Sequence, residues 1–336
     1  KKLLNNFLSQ VKDLNFSRMV VIATGSSSNA VECARYFVSD LLNVEVTIKM
    51  PSVVSSYDKF VDQNAIYLAV SQGGHSSSTI EAVKEIQCKS GNPVYTFTAD
   101  MESPIAQVST CPIDIGCGEE EVGFVTMGMS ATVLMFMLAA LELSFQKEQI
   151  SSDKYDSLCS DILKMINYID TVINLTNKWY EYNKNELSEG KKFTTIGYGA
   201  GFGVAKEAET KLEETIRRPV VGYELEEYMH GPYLAIDKDS YLIFIENNGV
   251  LSKRREQLAN YLRDYTSHIF TIQMNGKDSS DDKKILNLQF LIDEHLASLL
   301  LIIPIQILSY RLAGDMGIDL SKKIFTDFDS KLKSKV

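Results

Sequence analysis

One stretch of the chain gathers its best candidates for proton-transfer chemistry. Between Val204 and Ile236 the sequence reads VAKEAETKLEETIRRPVVGYELEEYMHGPYLAI, placing a lysine, several carboxylates and a histidine around a chain reversal. Up to Arg218 it lacks Gly and Pro and is rich in Ala, Glu, Lys and Leu, so it reads as a helix that Pro219 ends. On such a helix Glu207, Lys211 and Glu214 fall at i, i+4 and i+7 and share one face. Taken alone, that spacing also describes a solvated salt-bridged stripe. Two neighbouring features favour chemistry. A glycine-rich turn, Gly197-Tyr-Gly-Ala-Gly-Phe-Gly203, precedes the helix after an apolar strand, and such turns set a helix start at the edge of a ligand crevice. The polar segment Glu224 to Pro232 then carries His230, one of four histidines, into a Gly-Pro turn.

Two loops in the first half supply a different chemistry. Thr24-Gly-Ser-Ser-Ser28, which includes Ser26 and Ser27, and Ser71-Gln-Gly-Gly-His-Ser-Ser-Ser-Thr79 each lie between an apolar strand and a helix. Hydroxyls, glycine amides and helix N-termini converge there, which is what a dianionic phosphate requires. The serines also suit helix caps, and only their pairing at neighbouring strand ends favours phosphate. The second-half counterparts, Gly197 to Gly203 and Glu246-Asn-Asn-Gly249, have no Ser or Thr. Phosphate binding thus belongs to one half and carboxylates with a lysine to the other, which points to one composite site for a phosphorylated molecule.

These segments need a scaffold, and the chain alternates strand-like and helix-like pieces as a parallel α/β sheet requires. Strands are expected over Met19 to Thr24, Ala65 to Val70 and Pro93 to Thr98, with helices over Ser28 to Leu42, Ser78 to Ser90 and Ser130 to Phe145. The second half repeats the first: Phe193 to Tyr198 answers Met19 to Thr24, Tyr241 to Glu246 answers Tyr67 to Gln72, and His268 to Met274 answers Val94 to Asp100, each 174 positions on. One offset shared by three strands implies two tandem doubly wound, flavodoxin-like domains related by duplication, divided as 1–150 and 151–336.

Composition sets outer limits. The 336 residues suffice for two cores, and 45% hydrophobic with 23% charged is ordinary for a globular protein. A net charge of −10 without Lys/Arg clusters argues against nucleic acid. Five cysteines without a CxxC pair suggest neither metal nor disulfides, and reduced cytoplasm is the expected location. No signal peptide is evident. The apolar runs Met129 to Phe145 and Ala297 to Leu308 read as buried helices, too short or too interrupted by Pro304 to span a membrane.

The residues resemble the double sugar-isomerase (SIS) domain family: the isomerase half of glucosamine-6-phosphate synthase and its stand-alone relatives, the phosphosugar isomerases, deaminases and deglycases. The most specific match is Glu207-x3-Lys211-x2-Glu214 followed sixteen residues later by His230-Gly-Pro. By resemblance, Ser27 and the pair Ser71-Gln72 belong to the sugar-phosphate loop, with Ser76 at its final threonine, and Thr126 in Glu121-Val-Gly-Phe-Val-Thr126 matches a substrate-contacting serine. Leu332-Lys333-Ser334 resembles a tail whose lysine closes over the sugar. Gly73 stands where the family has a phosphate-binding serine, and His75 where the synthase has a glutamate.

The resemblance implies an enzyme that works at C1/C2 of a phosphorylated amino sugar or sugar–amine adduct without metal or cofactor. Glu214 is the expected base, a buried carboxylate near neutral pKa that serves both carbons. His230 assists ring opening, supplied from the neighbouring subunit of a homodimer. Lys211 neutralises an enolate-like intermediate or holds Glu207 and Glu214 in place. Without a glutaminase domain ahead of the first unit, the isomerase-type half reaction or deamination is expected. A non-catalytic sugar-phosphate sensor is the alternative, disfavoured by the intact Glu207, Lys211, Glu214 and His230. A nucleotide-dependent oxidoreductase fails because no first strand–helix turn carries GxGxxG with an acidic residue about 20 positions on.

Overall fold

The structure is a computed structural model, and it describes residues 2–118, 120, 123–274 and 282–336. The chain forms two compact units, Lys1–Leu158 with Lys322–Val336, and Cys159–Ser321. The tail thus groups with the first unit, whereas the sequence reading keeps it with the second half.

In the first unit, helix α1 (Asn5–Val11) precedes β1 (Arg18–Ile22), α2 (Ser26–Leu42), β2 (Glu45–Lys49), α3 (Pro51–Ser56), β3 (Ala65–Val70), α4 (Ser77–Ser90), β4 (Val94–Thr98), α5 (Pro104–Val108), β5 (Cys111–Asp114) and α6 (Met127–Gln146). The long α7 (Ser152–Glu189) leads into β6 (Phe193–Gly197), α8 (Ala200–Ile216), β7 (Val220–Glu224), α9 (Leu225–Met229), β8 (Tyr241–Glu246), α10 (Ser252–Leu262), β9 (Ile269–Gln273), β10 (Ile285–Asn287) and α11 (Ser298–Asp315). A short α12 (Phe328–Leu332) lies in the tail.

Both sheets are wholly parallel and have the same topology, β2-β1-β3-β4-β5 and β10-β9-β8-β6-β7. Strand order reverses at β1/β3 and at β6/β8, which in doubly wound sheets opens a crevice at the strands' carboxyl ends. The central strands are buried on both faces, as the unbroken apolar runs of β3 and β8 require.

The duplication is closer in some elements than others. Gly25 and Gly199, the residues before α2 and α8, share a left-handed φ of 58° and 52° and stand 174 positions apart. Farther on, the pair Tyr67↔Val94 is answered by Leu242↔Ile269, an offset of 175. The single offset expected for all strands therefore fails at β8 and β9, because the second unit carries one extra residue between β7 and β8. Consequently Leu242, not Tyr241, occupies the place of Tyr67.

Helix boundaries also shift. α8 begins at Ala200 rather than Val204, taking Gly201 and Gly203 into its first turns, and ends at Ile216 where Arg217 turns left-handed at φ 56°. α6 and α11 are long and apolar enough to cross a membrane by length and composition, yet both are largely buried, α6 against α2 and α11 against α8. Pro304 lies inside α11 without ending it.

Glycine lets α8 approach the sheet. A Cβ on Gly197 would lie 2.2 Å from the Gly201 carbonyl oxygen, and one on Gly222 2.7 Å from that of Ala205. Backbone cannot yield as a side-chain tip does, so Gly197→Ala is expected to cost about 2 kcal/mol of stability. Gly314→Ala, on a helix with open space around it, is expected to be neutral or to stabilise by about 0.5 kcal/mol. Urea unfolding midpoints of the two variants check the contrast.

Candidate functional site

On α8, Lys211 forms ion pairs in both directions along the face read from the sequence, with a hydrogen bond to Glu214. Its Nζ lies 2.5 Å from Glu214 Oε2 and 3.8 Å from Glu207 Oε1. Exposure separates the three: the side chains of Glu207 and Lys211 are 1% and 2% exposed, that of Glu214 41%. The expectation of a buried base is therefore not met at Glu214. Buried charge belongs to Lys211 and Glu207, and Glu214 presents one end of the trio to solvent.

The segment carrying His230 is built by local capping. β7 ends at Glu224, whose carboxylate accepts from the amides of Glu226 and Glu227 and starts α9. His230 caps the other end of α9, just before Gly231. Its imidazole is exposed. Among the described residues no ion pair joins His230 to Glu214.

In the first unit, the expected phosphate-loop residues occupy two strand-to-helix turns. Ser26 and Ser27 are the first residues of α2, half-buried, in the turn whose amides have no acceptor within the helix. Ser71 is buried just past β3, and its N–H donates to Phe97 O. The loop closes by a bond from Gly74 N to Ser71 O at 3.0 Å, with Gly74 left-handed at φ 69° and packed on Ser103. Gly73 is exposed, and Ser76 accepts a hydrogen bond from Thr79 Oγ1 at 2.9 Å.

Glu120, which sequence reasoning missed, organises the third piece. Its carboxylate sits on the first turn of α6, accepting from the amides of Thr126, Met127 and Gly128 at 2.7, 2.8 and 3.0 Å. Gln72 Nε2 is the fourth donor, at 2.5 Å. Thr126 and Gln72 are thus joined through one anion, and any side chain at Gly128 would collide with the Gln72 amide. Glu121 and Val122 of the motif leading to Thr126 lie outside the described residues.

The C-terminal tail lies along the second serine loop. Ser77 Oγ donates to Lys333 O at 2.8 Å, and Val336 N donates to His75 O at 3.1 Å. His75 Nδ1 is 2.6 Å from Val336 O. Lys333 itself is left-handed at φ 53°, with an exposed side chain.

In the second unit the answering loops hold the chain's own carboxylates. Glu246, 1% exposed, accepts from Arg255 Nε at 2.8 Å, Asn248 N at 2.6 Å and Tyr198 OH at 2.5 Å. Burial first, and then the charge of Glu246, hold the Tyr198 phenol far above its ordinary pKa, so it remains a donor. Glu294 fills the place beside Gly249, where a Cβ would lie 1.6 Å from its Oε2. Sequence gave no signal for these partners beyond the acidic residue at the end of β8. Among the described residues no three His, Cys, Asp or Glu side chains converge as a metal site, and all five cysteines are free.

Two parallel sheets of one topology, with hydroxyl-bearing strand-end loops in one unit and a charged helix in the other, define a duplicated sugar-isomerase architecture. The SIS domain model matches residues 15–143 and 186–313, and the chain belongs to that family. A glutamine–fructose-6-phosphate aminotransferase [isomerizing] of Bacteroides thetaiotaomicron is 24% identical over 93% of this chain. The chain spans about half the length of the curated relatives it matches. Among solved structures, a Clostridium difficile 630 protein provisionally assigned as a phosphosugar isomerase is 30% identical, with TM-score 0.90 over 100% of this chain and 94% of that one. The C-terminal domain of glucosamine-fructose-6-phosphate aminotransferase from Francisella tularensis shares the fold at TM-score 0.84, with 18% identity over 91% of this chain and 86% of that one.

The buried ammonium yields a direct prediction. Removing it by Lys211→Met leaves the Glu207 carboxylate buried without the positive charge it now faces, at an expected cost of about 3–5 kcal/mol. The double variant Glu207→Gln/Lys211→Met should recover most of that loss, read as the coupling in a double-mutant cycle of unfolding free energies.

Proposed function

We propose that this chain binds a phosphosugar and catalyses proton transfer between C1 and C2 of a phosphorylated amino sugar or sugar–amine adduct, as an aldose–ketose isomerase, deaminase or deglycase. The observation that carries this reading is the Lys211 ammonium, buried on α8 between Glu207 and Glu214, with Glu214 reaching solvent. A carboxylate that touches both a fixed cation and solvent can receive a proton from carbon and return it to the neighbouring carbon. One oxygen serves both positions because the carbons are adjacent. Lys211 offsets the negative charge that grows on the substrate oxygen, and Glu207 holds Lys211.

The phosphate falls to Ser26, Ser27, Ser71, Gln72, Gly73 and Ser76, with Thr126 toward the sugar. Amides and hydroxyls at helix starts bind a dianion within an acidic protein because the field is local. An anion arriving at Gln72 meets the bond that Gln72 now makes to Glu120, so release of that bond accompanies binding. His230 opens the sugar ring, in a homodimer where each copy supplies the imidazole to the other. Lys333 closes over the sugar from the tail beside Ser77. The phosphosugar chemistry named for the relatives supports this assignment.

Proton NMR in D2O tests it, with hexose 6-phosphates, amino-hexose 6-phosphates and fructosamine 6-phosphates. Loss of a C1 or C2 proton signal is expected for one class, slowed about 10²–10⁴-fold by Glu214→Gln. His230→Gln should slow turnover of ring-closed substrate while leaving its affinity near that of the parent. Phosphosugars that bind without any exchange would sink the enzyme reading in favour of a sensor.

A further inference from the structure

The duplicated fold contains a pair of answering spaces that have taken different courses. In the first unit, the space between the sheet and α3 has closed to about 20 Å³. The Tyr67 phenol crosses it, accepting from Asp62 N at 2.8 Å and donating to Asp62 O at 3.2 Å. Lys49 seals the rim on Asp58 at 2.5 Å. In the second unit the same space, between the sheet and α9 with the turn Pro232–Ala235, stays open as a cavity of about 250 Å³.

Register explains the difference. Val20, Lys49 and Val54 are answered 174 positions on by Thr194, Tyr223 and Tyr228, while Tyr67 is answered by Leu242. The side chain of Leu242 stops where the Tyr67 ring would continue. Protein interiors are otherwise close-packed, and unfilled volume forfeits contacts on every wall.

We propose that this chamber is a binding site for a small uncharged aromatic molecule of one or two rings carrying a hydrogen-bonding group. Size sets the first limit: an apolar cavity of about 150 Å³ accepts a single benzene ring, so this one admits a ring or a fused pair. Charge sets the second. Among the described residues the one charged side chain in the lining is Lys192, which is paired with Asp237 at 2.8 Å, and Ser240 Oγ bonds the same carboxylate. A phosphate would find no uncommitted cation there. The walls favour an aromatic guest, because the Tyr223 and Tyr228 rings lie 5.7 Å apart at 59° and offer both a face and an edge to a third ring.

Hydrogen-bonding capacity is in place. Among the described residues, the hydroxyls of Thr194, Tyr223 and Tyr228 have no partner. Burial pushes the Tyr228 phenol up to about 12, which keeps it a neutral donor. The chamber lies where β6 and β8 begin, at Phe193 and Tyr241, whereas the loops assigned to phosphosugar chemistry lie where strands end. The inference therefore stands independently of the proposed function.

Titration of the full chain with indole and with phenol, followed by calorimetry and NMR, tests it. Indole is expected to bind one saturable site with Kd on the order of 1 mM or tighter, unchanged by saturating fructose 6-phosphate. Leu242→Tyr, which restores the first unit's plug, should weaken binding about tenfold or more. Since that variant strains a buried strand, Thr194→Leu at the half-buried wall provides a second block, and circular dichroism and Tm verify that each is folded. Absence of saturable binding, equal affinity in both folded variants, or displacement by fructose 6-phosphate would overturn the proposal. Binding seen only on dilution to monomers would assign the chamber to a second copy of the chain and overturn it too.

Discussion

A lysine ammonium that is almost wholly buried is the constraint on which the second unit turns. Such a charge is tolerated only where opposite charge stands within a few ångströms, since desolvation alone costs several kcal/mol. Here both partners come from the same helix, four residues before and three after Lys211. The trio is therefore assembled by helix geometry, and the tertiary structure need only hold the helix. It does so closely: Gly197 and Gly222 let α8 lie against the backbone of the sheet, α11 covers it, and Glu209 ties it to the edge strand through Gly222 N at 2.5 Å. Rigidity of the support becomes precision of the charges.

The two units solve one electrostatic problem in two ways. Parallel strands feeding helices create clusters of amides and positive helix ends at the carboxyl edge of a sheet. In the second unit, Glu246 and Glu294 from the chain itself occupy these places, and Arg255 and Tyr198 complete the first of them. In the first, serines line the turns, and α6 has received an internal carboxylate, from Glu120. Duplication explains the shared fold, and separate filling of the loops explains how the halves can differ in task without differing in topology.

How far the sequence discloses this depends on how local each signal is. The central strands β1, β3 and β8 are largely apolar runs, β6 is an apolar strand broken by two threonines, and all four were legible to within a residue or two. The edge strands β2, β5, β7 and β10 are short and half polar, as in Glu45–Lys49, so no run or alternation marks them. Glycine misled in α8, where Gly201 and Gly203 read as a turn but lie buried inside a helix. The Glu207, Lys211, Glu214 face was legible because helical spacing alone creates it. Its burial was not, since exposure of Glu214 against Glu207 depends on what packs beside each. Glu120 with Gln72, and Asn247 with Glu294, are separated by 48 and 47 positions, and no periodicity reports a pairing at that range.

The one-residue insertion before β8 illustrates how small a change alters the filling of a duplicated space. Side chains alternate across a strand, so slipping the alignment by one exchanges the residue that faces α9 for its neighbour. Tyr241 thereby turns to the opposite face, where its ring stacks on His268 at 4.2 Å, and Leu242 faces the chamber instead. In the first unit the corresponding tyrosine faces inward and fills the space. With the same sheet topology, the first unit fills this space with the Tyr67 ring, and the second unit, with Leu242 in that place, keeps it open.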